Sequence, residues 1–247
     1  MAKTSRTIAK GFAALLAVGL AIGLGRHTVM ADWRTASREP TGIAPDPATH
    51  KEAILQVYAA RAFGWRGIFG VHTWIAAKPT GASEFMVYEV IGWRAYRGGN
   101  AVVISDRPPD MRWFGAAPDI LADKRGAGVD DMIRRVDAAV RAYPYPNEYR
   151  VWPGPNSNTF TAVVARAVPE LGLDLPPTAI GKDYIPDGGF AARTPSGTGY
   201  QVSLFGLLGL MAARDEGLEV NVLGLTFGID PMHLAIKLPM AGRVGRQ

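Results

Sequence analysis

No cysteine occurs anywhere in the chain. That absence excludes disulfides, thiolate metal sites, a lipoprotein acyl attachment and a cysteine nucleophile together, and it fits an oxidising compartment. Histidine is scarce too. Of four, His27 and His50 lie near the N-terminus, which leaves His72 and His233 within the body of the chain. No two of them stand at the helical or strand spacing of a metal site, so no metal is expected. Acidic residues are missing from residues 1–31, which hold Lys3, Arg6, Lys10 and Arg26. The formal charge of +5 (27 Lys and Arg against 22 Asp and Glu) therefore comes from this segment, and the remainder is close to neutral. Clustered Lys and Arg of the kind that bind nucleic acid are absent, so no nucleic-acid partner is expected. A glycine-rich Ser196-Gly197-Thr198-Gly199 lacks the Gly-Lys-Ser/Thr ending of a phosphate loop, and no nucleotide or other cofactor is implied.

What is present begins with an export signal. Residues 1–10 are polar and basic, and residues 11–25 (GFAALLAVGLAIGLG) are uncharged and apolar. This run lies between a secretory core and a comfortable bilayer span, and Val29-Met30-Ala31 offers a small-residue cleavage site. Residues 1–31 are accordingly a signal peptide or an N-terminal membrane anchor. Either one places the following chain in the periplasm, free or held at the inner membrane. Residues 32–50, with three prolines and no apolar period, read as a tether, and residues 51–247 as a single domain.

Within that domain, segments 53–62, 68–77, 85–96 and 101–105 are separated by turn-forming sequence, and three of them are rich in β-branched or aromatic residues. They predict an antiparallel meander whose first member has a helical alternative. Val129, Met132, Ile133, Val136, Val140 and Tyr143 recur at helical spacing, and Pro144 stops the helix. A second helix carries Phe160, Val163, Val164, Ala167 and Val168 and stops at Pro169, with Asn156 or Ser157 as its N-cap. Segments 200–213 and 218–229 flank Arg214-Asp215-Glu216-Gly217 and predict a long C-terminal β-hairpin that lipid could contact, the first arm having a helical alternative. The fold class is α+β.

The chemistry centres on Trp152-Pro153-Gly154-Pro155-Asn156-Ser157-Asn158-Thr159-Phe160. A serine at a helix start gains free backbone N–H groups and the positive end of the helix dipole, both suited to an oxyanion. Ser157 is the candidate nucleophile, His72 its base, and Glu89 on the next strand the group that orients the imidazole. Asn156, Asn158, Trp74 and Trp152 are candidate substrate contacts. The other reading of Ser157 is a plain helix cap, of His72 a core histidine, and of Glu89 a solvated strand residue. Lys182-Asp183 reads as a solvated pair, and the tryptophans as core and cleft walls or a platform for a glycan strand.

His72 on an early strand followed by Asn-Ser-Asn-Thr-Phe opening a later helix resembles the circularly permuted papain-like proteins of the NlpC/P60 superfamily, with serine where those families carry cysteine. That resemblance implies a permuted papain-like core and a hydrolase or acyltransferase acting on an amide or ester of the cell envelope, such as a peptidoglycan peptide or a lipid. The run of His72-Thr73-Trp74, WPGPNSNTF, AIGKDY and the closing Lys237-Leu238-Pro239 resembles an uncharacterised family of bacterial membrane-associated proteins. The alternative function is a non-catalytic envelope binding or scaffold protein with a degenerate papain-like cleft.

Overall fold

The computed structural model of the protein describes residues 2–25 and 32–245, with the backbone alone for residues 2–9 and 12. The Val29-Met30-Ala31 cleavage site lies outside the described residues. Helix α1 spans Ala2–Gly25. Among the described residues no helix is long and apolar enough to cross a membrane. Residues 32–50 do not hang free as a tether would. They are strapped to the domain, because the buried Asp110 carboxylate accepts from Thr41 Oγ1 at 3.3 Å and the Ile43 amide at 2.9 Å. Gly115 also donates its amide to the Ser37 carbonyl at 2.8 Å. One buried acid satisfying several donors outweighs the proline-rich composition from which a free linker was expected.

The first sheet contains β1 (Ile54–Arg61), then after the short α2 (Arg66–Phe69), β2 (Val71–Lys78) and β3 (Met86–Val90). After α3 (Gly92–Ala95) come β4 (Val102–Ser105) and β5 (Asp119–Arg125). The antiparallel order is β4-β3-β2-β1-β5, so the predicted meander forms, its first member is a strand, and β5 closes on the far side of β1. Strands β1 and β2 are buried on both faces, which explains why neither alternates in polarity. One face carries Leu55, Val57, Ile75 and Val90 against helices α4 (Val129–Arg141) and α5 (Ser157–Ala167). The other carries Ile54, Tyr58, Trp74 and Val87 against Trp113 and Ile120. Helix α4 turns Val129, Met132, Ile133, Val136 and Val140 inward, as its period requires, with Asp130 and Asp131 in its first turn and Arg141 in its last, matching the helix dipole. Phe160 of α5 is fully buried, and truncating its ring would cost about 3–5 kcal/mol.

The C-terminal region is larger than one hairpin. Strands β6 (Ala191–Arg193), β7 (Gly199–Leu204), β8 (Leu208–Ala213), β9 (Gly217–Val222), β10 (Leu225–Asp230), β11 (Ala235–Leu238) and β12 (Gly242–Gly245) form a seven-stranded antiparallel meander. Each predicted arm is itself a hairpin. Val222 pairs with Leu225 across a two-residue loop in which Leu223 and Gly224 have φ of 53° and 79°, and positive φ at both positions is what a type I′ turn requires. Phe205 and Gly206 also have positive φ, 51° and 73°, in the three-residue loop that joins Leu204 to Leu208 between β7 and β8. Phe-Gly and Leu-Gly are not the usual Asn-Gly signal, so the turns were hidden within apolar runs. The architecture is α+β with two antiparallel sheets of five and seven strands.

Candidate functional site

At the start of α5 the polar run Asn156-Ser157-Asn158-Thr159 is a hydrogen-bond hub. Asn156 is the N-cap, its Oδ1 accepting from the amides of Asn158 at 2.9 Å and Thr159 at 3.2 Å, while Thr159 Oγ1 accepts from the Asn156 amide. That reciprocal pair is a capping box. The Asn156 Nδ2 donates to the carbonyls of Val151 and Ile180 at 3.1 and 3.0 Å. Asn158 Nδ2 donates to Val71 O and Ile180 O, and its Oδ1 accepts from Thr73 Oγ1 at 3.0 Å. Both amides are therefore engaged in tying α5 to β2 and to the loop before Lys182, and each residue is 3% exposed. They are not placed to receive a substrate. Ser157 is equally buried, with its side chain against Tyr149, whose hydroxyl burial pushes up to about 12.

The base does not face this serine. Thr73 Oγ1 bonds to Ser157 O at 3.2 Å and Thr161 Oγ1 at 2.9 Å, so Thr73 is the β2 residue that points at α5. Neighbouring side chains in a strand point to opposite faces, and His72 is on the other side of the sheet. The structure brings His72 and Glu89 together, and it brings neither to Ser157. Folding the β2–β3 hairpin about Thr80-Gly81 predicts Glu89 roughly opposite His72. The observed register pairs Ile75 with Tyr88 and Ala76 with Val87, which sets Glu89 two residues off that position but on the same face, within diagonal reach. His72 Nε2 lies 3.0 Å from Glu89 Oε2, and Arg107 Nε donates to Glu89 Oε1 at 3.0 Å. His72 stacks on Trp113 with ring centroids 3.7 Å apart, and Trp74 lies on its other side at 5.7 Å. Burial in this sandwich pushes the imidazole below its ordinary value, so at neutral pH it is uncharged and donates Nε2–H to the carboxylate. Burial pushes Glu89 up, but His72 and the Arg107 guanidinium outweigh it and hold the carboxyl down at about 2. Glu89 is a buried ion-pair member, not a solvated strand residue.

Above this group lies a small cavity of about 130 Å³ lined by Glu89, Arg107, Trp93, Trp113, Phe114, Met111, Arg38 and Arg112. Trp93 is 43% exposed at its mouth and stacks on Trp113 at 5.8 Å. Arg107 lies over Trp74, 5.1 Å from the ring centroid, and its Nη2 is buried without a partner among the described residues. Trp74 is fully buried and donates its indole N–H to Pro109 O at 2.7 Å, so it supports this site from beneath instead of contacting a ligand. A family model matches residues 52–184, more than half of the chain. The chain belongs to DUF3750, a family of proteins of unknown function. No curated protein and no solved structure matches it. The DUF3750 match takes in the first sheet, α4, α5 and most of the cavity wall, and it ends at Tyr184, before the seven-stranded sheet begins.

Sequence reasoning passed over Arg107, which sits before two prolines in a loop where neither period nor motif marks it. It also read Lys182-Asp183 as solvated. Both are buried in an ion network. Lys182 Nζ bonds to Asp183 and Glu219, and Lys237 Nζ reaches Glu219 Oε1 at 2.7 Å and Asp174 Oδ1 at 2.6 Å. The flanking acids outweigh burial and raise the Lys182 ammonium above its ordinary value. The AIGKDY motif, Glu219 of β9 and the closing Lys237-Leu238-Pro239 thus meet at the seam where the second sheet docks on the first domain layer. His233 is part exposed and bonded to Asp230 at 2.9 Å.

Proposed function

We propose that this DUF3750 chain is a non-catalytic ligand-binding protein of the cell envelope, carried or anchored there by residues 1–31. Its recognition site is the cavity above His72, Glu89 and Arg107. The observation that carries the proposal is the placement of His72. It is bonded to Glu89, which Arg107 also holds, beneath an aromatic-walled cavity on the sheet face opposite Ser157, so the imidazole is not positioned as the base of that serine and has a structural task. The likeness to permuted NlpC/P60 proteins supports an inherited layout, a helix opening on Asn-Ser-Asn against a strand, in which serine replaces cysteine and Thr73 faces the helix. A degenerate centre of this kind retains architecture without acyl-transfer chemistry.

The cavity suits an acidic envelope fragment. Three arginines surround one carboxylate that is already paired, so an added carboxylate meets net positive charge, with Arg107 Nη2 as an available donor. Exposed Trp93 offers a stacking face for a sugar or a short peptide. Peptidoglycan stem peptides and their carboxylate-bearing sugars combine these features. Isothermal titration of the chain with soluble muropeptides tests the proposal. Binding is expected, weakened about tenfold or more by Arg107→Ala through loss of a charged hydrogen bond and unchanged in Ser157→Ala. Absence of binding, or a Ser157-dependent cleavage of the muropeptide, would overturn it.

A further inference from the structure

The seven-stranded sheet is built inside out, and this carries an inference independent of the cavity. A sheet docked on a domain ordinarily buries its apolar face. Here the buried face carries Gln201, Ser203, Glu219, Asn221, Asp230 and Lys237, all at most 4% exposed and held by hydrogen bonds and ion pairs. The outward face carries Val202, Leu210, Leu218, Val220, Ile229 and Ile236, each 43–59% exposed. Strict alternation along β7, β8 and β9 places these side chains side by side. A contiguous apolar face of this extent exceeds what a soluble surface tolerates without a partner.

Two further features indicate what covers it. The hairpin tips at one end of the sheet, where turns are ordinarily polar, are apolar and aromatic. Phe205 (48% exposed) pairs with Phe190 (61%), and Leu223 (61%) accepts the indole N–H of Trp152 (51%) through its carbonyl at 2.9 Å. Aromatic rings displayed on loop tips suit the headgroup region of a bilayer. Helix α1 then joins the same surface. Gly19 and Gly23 approach Pro239, Met240 and Ile68 closely, while Leu15, Val18, Leu20 and Leu24 stay 39–50% exposed. Leu15 and the sheet face border an almost wholly apolar cavity of about 810 Å³. A second flat copy of the sheet would leave this groove unfilled, whereas acyl chains conform to it. In sequence, the stretch ahead of Gly11 holds Lys3, Arg6 and Lys10 and no acid, a charge that complements anionic headgroups.

We propose that the outer face of the second sheet, its aromatic tips and α1 together dock on an anionic phospholipid bilayer, so that the domain lies against the membrane instead of hanging from it. The test uses the full chain reconstituted in phosphatidylglycerol-containing vesicles, with lipids brominated along the acyl chain as fluorescence quenchers. Quenching of Trp152, identified by its loss in Trp152→Phe, is expected. It is expected to disappear in the tip variant Phe205→Ser/Leu223→Ser and in the face variant Leu210→Asp/Leu218→Asp, both of which still float through α1. Far-UV circular dichroism and the melting temperature verify folding, and the tip positions, about half exposed, keep the test intact if the face variant fails to fold. Unquenched Trp152 in the folded wild-type chain would overturn the proposal. So would a vesicle-free dimer that the face variant converts to monomer, because it would assign the face to a second copy.

Discussion

Replacing Asn156 by alanine tests whether the Asn-Ser-Asn stretch is a structural hub or a reaction centre. The substitution removes the N-cap of α5, worth about 1 kcal/mol. It also removes two part-buried bonds from Nδ2, to Val151 O and Ile180 O, at about 1 kcal/mol each, although Asn158 Nδ2 still donates to Ile180 O. The sum is about 3 kcal/mol, or a fall in melting temperature of about 6–12 °C for a chain of this size. Ser157→Ala, one position on, removes only a hydroxyl against Tyr149, and about 1 kcal/mol or less is expected. Gly181→Ala attacks the same hub from outside. Gly181 has a φ of 97°, and an added Cβ would collide with the Asn156 amide, so a loss similar to that of Asn156→Ala is expected. Urea unfolding followed by tryptophan fluorescence measures all three. The reasoning is refuted if Ser157→Ala destabilises as much as Asn156→Ala. It is equally refuted if the wild type labels with a fluorophosphonate and Ser157→Ala loses that labelling at unchanged stability.

Two further outcomes follow from the buried charges. His72 lies below its ordinary value in the folded state, so the unfolded chain takes up its proton first and stability falls as pH drops below about 6.5. Glu89, at about 2 against an ordinary 4.5, adds about 3 kcal/mol that is present above pH 4.5 and lost as pH falls toward 2. Urea midpoints between pH 7.5 and 5 should therefore decline on acidification, and His72→Gln should flatten that decline; an unchanged slope in the variant would contradict the assignment. In the ion network, Glu219→Ala leaves Lys182 and Lys237 buried with one acid fewer, and a loss of about 3–5 kcal/mol is expected in the same assay. A change within about 0.5 kcal/mol would mean that water, not Glu219, solvates the two ammonium groups.

The sequence by itself determined the elements whose signals are local. The period of Val129 to Val140, the Asn156 cap and the Pro169 stop each act within a turn or two of helix, and α4 and α5 form where those signals stand. The pairing of His72 with Glu89 was also legible, because a two-residue error in register leaves both side chains on one face. The face itself was not. In Val71–Lys78 both sides of the strand are buried, so hydropathy carries no mark to say whether His72 or Thr73 meets α5, and one residue of parity separates a catalytic pair from two unrelated sites. The second sheet shows the converse. Its alternation was present in Tyr200-Gln201-Val202-Ser203-Leu204 and Leu218-Glu219-Val220-Asn221-Val222, yet alternation states only that two faces differ, not which one is inside. That was decided by the tertiary structure, where Lys182, Asp183 and Asp174 wait on the first domain layer for Glu219, Asn221 and Lys237. Ion pairs between segments distant in the chain turned the polar face inward and left the apolar one outside.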